Sequence, residues 1–367
     1  MHLAISLRIL GLLLTLFSVA MLPPLLIAVL EDDDTVTGFL SAFGITLSSG
    51  LLLWLPLRAA RSDLSIRDGF LVTALFWTVL GLFGSLPFAL TASLQLGAAD
   101  AIFESVSGLT TTGATVLTGL DRLPMSILLY RHVLQWLGGI GIIVVAVAVL
   151  PMLGIGGMQL YRAETPGPTK DTKLTPRITE TAKALFSVYL LLTVACALAY
   201  GAAGMSGFDA VCHAFSTVAI GGFSTHDASM GHFDSAAIYL VCSLFMLVSA
   251  VNFGMHYTAW MRRQPGIYYR DPETRFFLGV LAVCALITTG YLALSQTLPE
   301  LDALVHGLFQ AVSITTTTGY ATQDFAAWPS FLPVMLLMFS FMGGCVGSTG
   351  GGIKAMRLML IYKQGIR

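Results

Sequence analysis

The sequence predicts an all-α polytopic membrane protein built from a repeated unit of helix, short re-entrant helix, extended loop and helix. Three observations predict it. Of the 367 residues 56% are hydrophobic and only 11% charged, with a mean hydropathy of +0.81, whereas about a quarter of a soluble domain is charged. Apolar runs of the ~20 residues needed to cross a bilayer recur along the chain. Three of the connections between those runs carry related text.

The first run, 9–30, follows a short basic start but is longer than a signal-peptide core. No small-residue cleavage site precedes Glu31 to Asp34, so a retained helix is expected. Further spans are expected at 37–57, 70–92, 128–152, 184–204, 235–257, 276–296 and 330–353. All but Arg122 and Arg131 of the 19 Lys and Arg fall at the start or in alternate connections, and the positive-inside rule makes that side and the N-terminus cytoplasmic. The other side collects most of the 20 carboxylates, among them Glu31 to Asp34, Asp100, Glu104, Asp209, Glu300 and Asp302. There they either concentrate cations at a pore mouth or gather where translocation tolerates acid. A net charge of −1 gives no sign of a nucleic-acid partner. Cys196, Cys212, Cys242, Cys284 and Cys345 lie apart in apolar segments without a CxxC pair, which argues for packing residues rather than a disulfide framework or zinc site.

The related connections read FESVSGLTTTGATV at 103–116, CHAFSTVAIGGFST at 212–225 and FQAVSITTTTGYAT at 309–322. Gly113, Gly222 and Gly319 each follow a serine by six residues (Ser107, Ser216, Ser313) and precede Thr115, Thr225 or Thr322 by two or three. One such segment alone would read as an ordinary loop; three in register, each between spans, do not. Extended backbone at membrane depth is tolerated only inside protein or around a water-filled cavity. Carbonyl oxygens placed there can replace the hydration shell of an alkali cation. Glycine permits the dihedrals required, and the partially negative end of the preceding helix favours a cation. The second copy has Ile220-Gly221 where the others have paired threonines, so main-chain oxygens rather than hydroxyls are expected to bind.

Several other features bear on function. Gly343-Gly-Cys-Val-Gly-Ser-Thr-Gly-Gly-Gly352 should break the last span and leave flexible backbone, because glycine costs ~1 kcal/mol per residue in a helix interior. Gly138-Gly139 reads as close helix packing. GSTGGGIK lacks the Lys-Ser/Thr ending of a phosphate loop, and VGSTG lacks the first glycine of a nucleophile elbow. Arg131, His132 and Gln135 open the second helix of the first unit; Arg131 is expected near the interface, its charge snorkelling to water. Asn252 and His256 either line a lower vestibule or bond across helices. No metal site is expected at His213 and His306. The basic, proline-bearing loop 158–183 suits either a docking surface for a partner or a solvated linker.

Long stretches carry a family resemblance: LTTTGATV (109–116), LQWLGGIGIIV (134–144), LGIGGMQLYRAETPGP (153–168), STVAIGGFSTHDASMG (216–231) and GGCVGSTGGGIK (343–354). Over essentially its whole length the chain resembles the Trk/Ktr/HKT superfamily of potassium transporters. The resemblance implies helix–pore-helix–helix repeats around a pseudo-symmetric pore with an extra N-terminal helix pair. The pair maps to 1–57 and the repeats to 70–157, 184–257 and 276–367; the family's fourth repeat, with its positively charged residue, is absent from this text, which reads as a truncation. It implies K+ as the transported ion, by passive or coupled (symport) flux, and no enzymatic cofactor. The implied filter positions are Thr111, Thr112 and Gly113; Ile220, Gly221 and Gly222; Thr317, Thr318 and Gly319. The implied intramembrane gate comprises Gly343, Gly344, Gly347, Ser348, Thr349, Gly350, Gly351, Gly352 and Lys354. A homodimer in the bacterial inner membrane and a cytosolic nucleotide-binding regulatory ring of TrkA type are the implied assembly. A non-conducting subunit that only dimerises and an intramembrane enzyme are the alternatives; for the latter no nucleophile with a base stands out.

Overall fold

The computed structural model describes residues 3–60, 66–149 and 178–365. Among them all regular structure is helical. The chain divides into two compact units, Met1–Phe186 and Ser187–Arg367.

In the first unit, α1 (Leu3–Ser18) and α2 (Leu22–Leu30) join through one 3-10 turn into a single span, and α3 (Val36–Leu57) returns alongside α1. Glycine makes this close crossing: a Cβ at Gly11 would lie 2.8 Å from the Gly50 carbonyl oxygen, and one at Gly50 would lie 2.9 Å from that of Gly11. Helices in lipid associate by such close packing rather than by a hydrophobic drive. Next come α4 (Ile66–Gly84), α5 (Leu86–Leu90), α6 (Ala98–Leu109) and α7 (Met125–Val149). Buried Phe39, Phe88 and Tyr130 form an aromatic centre, and the Tyr130 hydroxyl donates to the Gly84 carbonyl at 2.9 Å. α7 breaks at Gly141, where φ is +67°.

The second unit begins within α8 (Ile178–Ala202) and continues through α9 (Gly207–Val218), α10 (Ala236–Ser249), α11 (Phe253–Arg262), α12 (Ile267–Arg270), α13 (Pro272–Leu294), α14 (Glu300–Thr315), α15 (Leu332–Ser340) and α16 (Ala355–Gly365). Its helix starts are chemically marked. Ser206 caps α9 by accepting from the Asp209 amide at 3.0 Å, and Asp271 caps α13 from the Thr274 amide at 2.6 Å with Pro272 in the first turn. The helices preceding the three related loops, α6, α9 and α14, have 12, 12 and 16 residues. At 1.5 Å per residue none reaches across ~30 Å of hydrocarbon.

Among the described residues five spans are long and apolar enough to cross a membrane: Leu3–Leu30, Val36–Leu57, Leu71–Leu90, Lys183–Ala202 and Pro272–Leu294. The spans expected at 235–257 and 330–353 are interrupted as well. The one expected at 235–257 bends by 91° between α10 and α11. Nothing local in its sequence demands this. The Asn252 side chain starts a new helix by accepting from the Gly254 amide at 2.7 Å, and the interrupted backbone finds distant partners: Cys345 N–H donates to Ala250 O (2.8 Å) and Phe253 N–H to Gly347 O (3.0 Å). The span expected at 330–353 stops at Ser340, as the glycine run predicts. Positions 150–177, which include the end of the expected 128–152 span and most of the 158–183 loop, lie outside the described residues.

The α1–α3 crossing makes a controlled prediction. Gly50→Leu should lower the thermal midpoint in detergent, since overpacking costs about 1–3 kcal/mol, while Gly44→Leu on the same helix, with nothing within 4 Å of its Cβ position, should leave it unchanged. Equal midpoints for the two variants would contradict the packing described.

Candidate functional site

α6, α9 and α14 all end in the same way. The Thr112 amide reaches back to Ser107 O (2.9 Å) while the Thr111 amide bonds Gly108 O (3.0 Å). The same pair is Gly221 to Ser216 O (2.8 Å) with Ile220 to Thr217 O (3.1 Å) in the second segment. In the third it is Thr318 to Ser313 O (2.9 Å) with Thr317 to Ile314 O (3.1 Å). This is a Schellman cap, whose first residue beyond the helix is left-handed and usually glycine. Here it is β-branched each time: Thr111 at φ +54°, Ile220 at +54° and Thr317 at +69°. Two residues later φ is positive again, at Gly113 (+78°), Gly222 (+78°) and Gly319 (+84°). A β-branched residue in this region is an outlier and costs about 1–3 kcal/mol.

The consequence is directional. The amides before each glycine are spent on the helix, so what the strand can turn to a ligand is carbonyl oxygen. The threonine hydroxyls are largely spent too: Thr110 Oγ1 meets Thr112 Oγ1 and Thr316 Oγ1 meets Thr318 Oγ1, both at 2.8 Å, while Thr110 and Thr316 also donate to the helix. The second segment has Ala219 and Gly221 in their place, so both members of the pair are missing together. Losing both partners of a hydrogen bond is far cheaper than losing one.

The strand after each glycine is also held. Ser107 Oγ donates to Ala114 O at 2.5 Å and Ser313 Oγ to Tyr320 O at 2.7 Å, so one serine serves both sides of its glycine. Glu104, His213 and Gln310, which share one column of the aligned segments, bond Thr115 (2.9 Å), Ser224 (3.0 Å) and Tyr320 O (3.3 Å). Asp209 accepts from Thr225 at 2.7 Å, and His306 Nδ1 lies 2.9 Å from Thr322 Oγ1. Within the second unit the second and third strands meet. A Cβ on Gly222 would fall 1.9 Å from the Thr318 carbonyl oxygen, and Gly231 N–H donates to Ala321 O at 3.1 Å.

Two expectations about charge need correction. Arg131 does not snorkel and Glu104 is not an open mouth carboxylate: both side chains are buried and paired, Nε to Oε1 at 2.7 Å. Residues 27 apart in sequence find each other because α6 and α7 pack together. A Cβ at Gly138 would lie 1.9 Å from Leu109 O, so the glycine there does serve close packing. Asn252 caps α11, and His256 bonds Tyr268 Oη (2.8 Å) and Val248 O (2.9 Å).

The run 343–352 is folded rather than slack. Its ends close through Ile353 N–H to Phe341 O (2.9 Å) and Ala355 N–H to Gly344 O (3.1 Å). Left-handed Gly343, Gly347, Gly352 and Lys354 supply the reversals, and a Cβ at Gly343 would meet Gly351 O at 1.9 Å. Lys354 Nζ donates to the carbonyls of Gly350 and Ser348. The loop touches two of the capped segments: Gly351 N–H donates to Thr317 Oγ1 and Thr349 Oγ1 to Val218 O, each at 2.8 Å. One buried carboxylate fastens both ends, because Glu273 Oε1 accepts from Val346 N–H (2.8 Å) and Met356 N–H (3.1 Å).

Residues 37–367 match the family model TrkH, described as a cation transport protein. The chain belongs to the TrkH family. It is 59% identical over 367 residues to the Trk system potassium uptake protein TrkH of Halomonas elongata, covering all of this chain and 76% of that one. To the protein of that name from Escherichia coli it is 52% identical over 371 residues, again covering 100% and 76%. The crystal structure of the potassium transporter TrkH from Vibrio parahaemolyticus aligns at a TM-score of 0.89 and 51% identity, over 100% of this chain and 76% of that chain.

All nine filter positions that the resemblance implies lie in the TrkH-family chain's three capped segments, and the nine gate positions lie in the glycine loop and its closing lysine. Three features went unrecognised in the sequence: the left-handed β-branched residues, the Glu104/His213/Gln310 column and Glu273. Only the column had a visible signal, three polar residues at one aligned position, nine before the glycine of each segment. Glu273→Ala should raise amide hydrogen exchange at Val346 and Met356, since each buried amide left unpaired costs about 1–3 kcal/mol. Glu273→Gln, which keeps an acceptor oxygen, should change it less; unaltered exchange in Glu273→Ala would contradict the fastening role.

Proposed function

We propose that this chain carries potassium ions across a bacterial inner membrane through a pore lined by main-chain carbonyls of Thr111–Gly113, Ile220–Gly222 and Thr317–Gly319. The observation that carries the reading is the Schellman cap made three times with a β-branched residue at its left-handed position. Strain repeated in register is retained where function requires it. A ring of carbonyls is the ligand set that can replace the water around a potassium ion. The contact of Gly222 with the Thr318 carbonyl supports a shared pore for the second and third segments. The units 70–157, 184–257 and 276–367 are one helix–pore-helix–helix repeat each, with 1–57 as the leading pair. The N-terminus is cytoplasmic, where the basic connections gather.

The glycine loop is the gate. It hangs from the filter itself through Thr317 and Val218 and is fastened by Glu273 and Lys354. Any element that pulls on α13 or α16 therefore acts on the filter's underside. A homodimer regulated by a cytosolic nucleotide-binding ring of TrkA type is the assembly in which such a pull would arise. Whether flux is passive or by symport is decided by ion substitution in vesicles.

Growth of a potassium-uptake-deficient bacterium at low potassium tests the transport reading. The chain should restore growth and Gly222→Ala should abolish it, because the added methyl meets the Thr318 oxygen. Restoration unaffected by Gly222→Ala would remove the carbonyl pore, and no restoration by the unaltered chain would reject conduction. Shortening the run Gly343–Gly352 should raise flux; unchanged flux would reject the gate.

A further inference from the structure

The buried pair Glu104–Arg131 reaches the strand beyond Gly113 of the first capped segment. Glu104 Oε1 accepts from Thr115 Oγ1 (2.9 Å) and Arg131 Nε (2.7 Å), and Oε2 lies 2.9 Å from Thr115 Oγ1 and 3.1 Å from the Val116 amide. Arg131 Nη2 donates to Thr115 Oγ1 at 3.0 Å, and the Leu117 amide donates to the same oxygen at 3.1 Å. Thr115 is thus a hub whose hydroxyl is saturated by an ion pair that has no exposure to solvent. With Ser107 holding Ala114 O, each residue from Ala114 to Leu117 is tied down, while the cap ties Thr111 and Thr112.

We propose that Glu104 and Arg131 are positioning residues that set the discrimination between potassium and sodium, by fixing the carbonyl spacing around Gly113. The inference rests on the carbonyl-pore reading above. The other two segments decide between a charge effect on the ion and a mechanical one. At the same aligned column they use a histidine on Ser224 and a glutamine on Tyr320 O. Neither carries the carboxylate's negative charge, so the common element is the tie to the strand and not a charge offered to the cation. In the first segment the carboxylate's charge is answered by the guanidinium beside it. Charge-assisted bonds in a water-poor site are short and stiff, and a ligand cage displaced by a fraction of an ångström loses its preference among ions.

The test measures radioactive rubidium binding to the purified full chain, with potassium and sodium as competitors. Arg131→Lys keeps the charge but loses the fork that reaches both Glu104 and Thr115. The double variant Glu104→Gln, Arg131→Met removes both charges together and leaves neither buried alone. Thr115→Val removes the hub and leaves the ion pair in place. The potassium-over-sodium ratio should fall about tenfold in the first two, equivalent to ~1.4 kcal/mol, and by a smaller factor in Thr115→Val, with rubidium still bound. Monodisperse variants with a ratio within about twofold of the unaltered chain would overturn the proposal. Loss of folded protein in both ion-pair variants together with an unchanged ratio in Thr115→Val would assign the pair to folding alone and overturn it as well. An unaltered chain that binds rubidium without discriminating potassium from sodium would instead fail the pore reading, and this inference with it.

Discussion

A helix that ends inside an apolar protein must place its last carbonyls and the next amides somewhere, and how this chain does so governs the rest. α6, α9 and α14 close with a bond from the second residue beyond the helix to a serine carbonyl, which forces Thr111, Ile220 and Thr317 into the left-handed region. The same serines at 107 and 313 turn their hydroxyls to the carbonyl just past the glycine. Amides point inward to the helix, and the carbonyls are left as the groups available to a ligand. The hydroxyls of Thr110 with Thr112 and of Thr316 with Thr318 pair with each other across the turn. That is why Ala219 and Gly221 can replace such a pair in the middle copy.

Backbone strain at three places has to be offset by contacts that over-determine the geometry. The ties from Glu104, His213 and Gln310 do this beyond each glycine. The two interrupted spans of the second unit follow the same rule. The break at 250–252 and the glycine loop supply each other with backbone partners, Cys345 N–H to Ala250 O and Phe253 N–H to Gly347 O, as interrupted backbone away from water requires. Glycine at 343 and 352 matters because backbone meets backbone there. The loop is consequently ordered and tied to the capped segments at Thr317 and Val218.

Hydropathy made the long spans readable, since Val36–Leu57 and Pro272–Leu294 fall where apolar runs of bilayer length predict them. The register of Gly113, Gly222 and Gly319 was readable as well, because a tight backbone turn leaves glycine in the text. Long-range pairing was not. Arg131 read as a snorkelling residue because its partner, Glu104, lies on another helix and was counted among the acids of the outer face. The bend after Ser249 has no proline or glycine to announce it, as its cause lies near residues 345 and 347. Nor could the sequence show Thr111, Ile220 and Thr317 as left-handed: threonine and isoleucine carry the opposite preference, and only tertiary ties hold them there.

Anomalous diffraction from crystals soaked in rubidium tests the carbonyl-ligand account most directly. The account predicts density within coordination distance of the main-chain oxygens of Thr111 and Thr112, Ile220 and Gly221, and Thr317 and Thr318, unchanged when Thr112 or Thr318 is replaced by alanine. Density bound only to threonine hydroxyls or acidic side chains, and lost on those replacements, would contradict it.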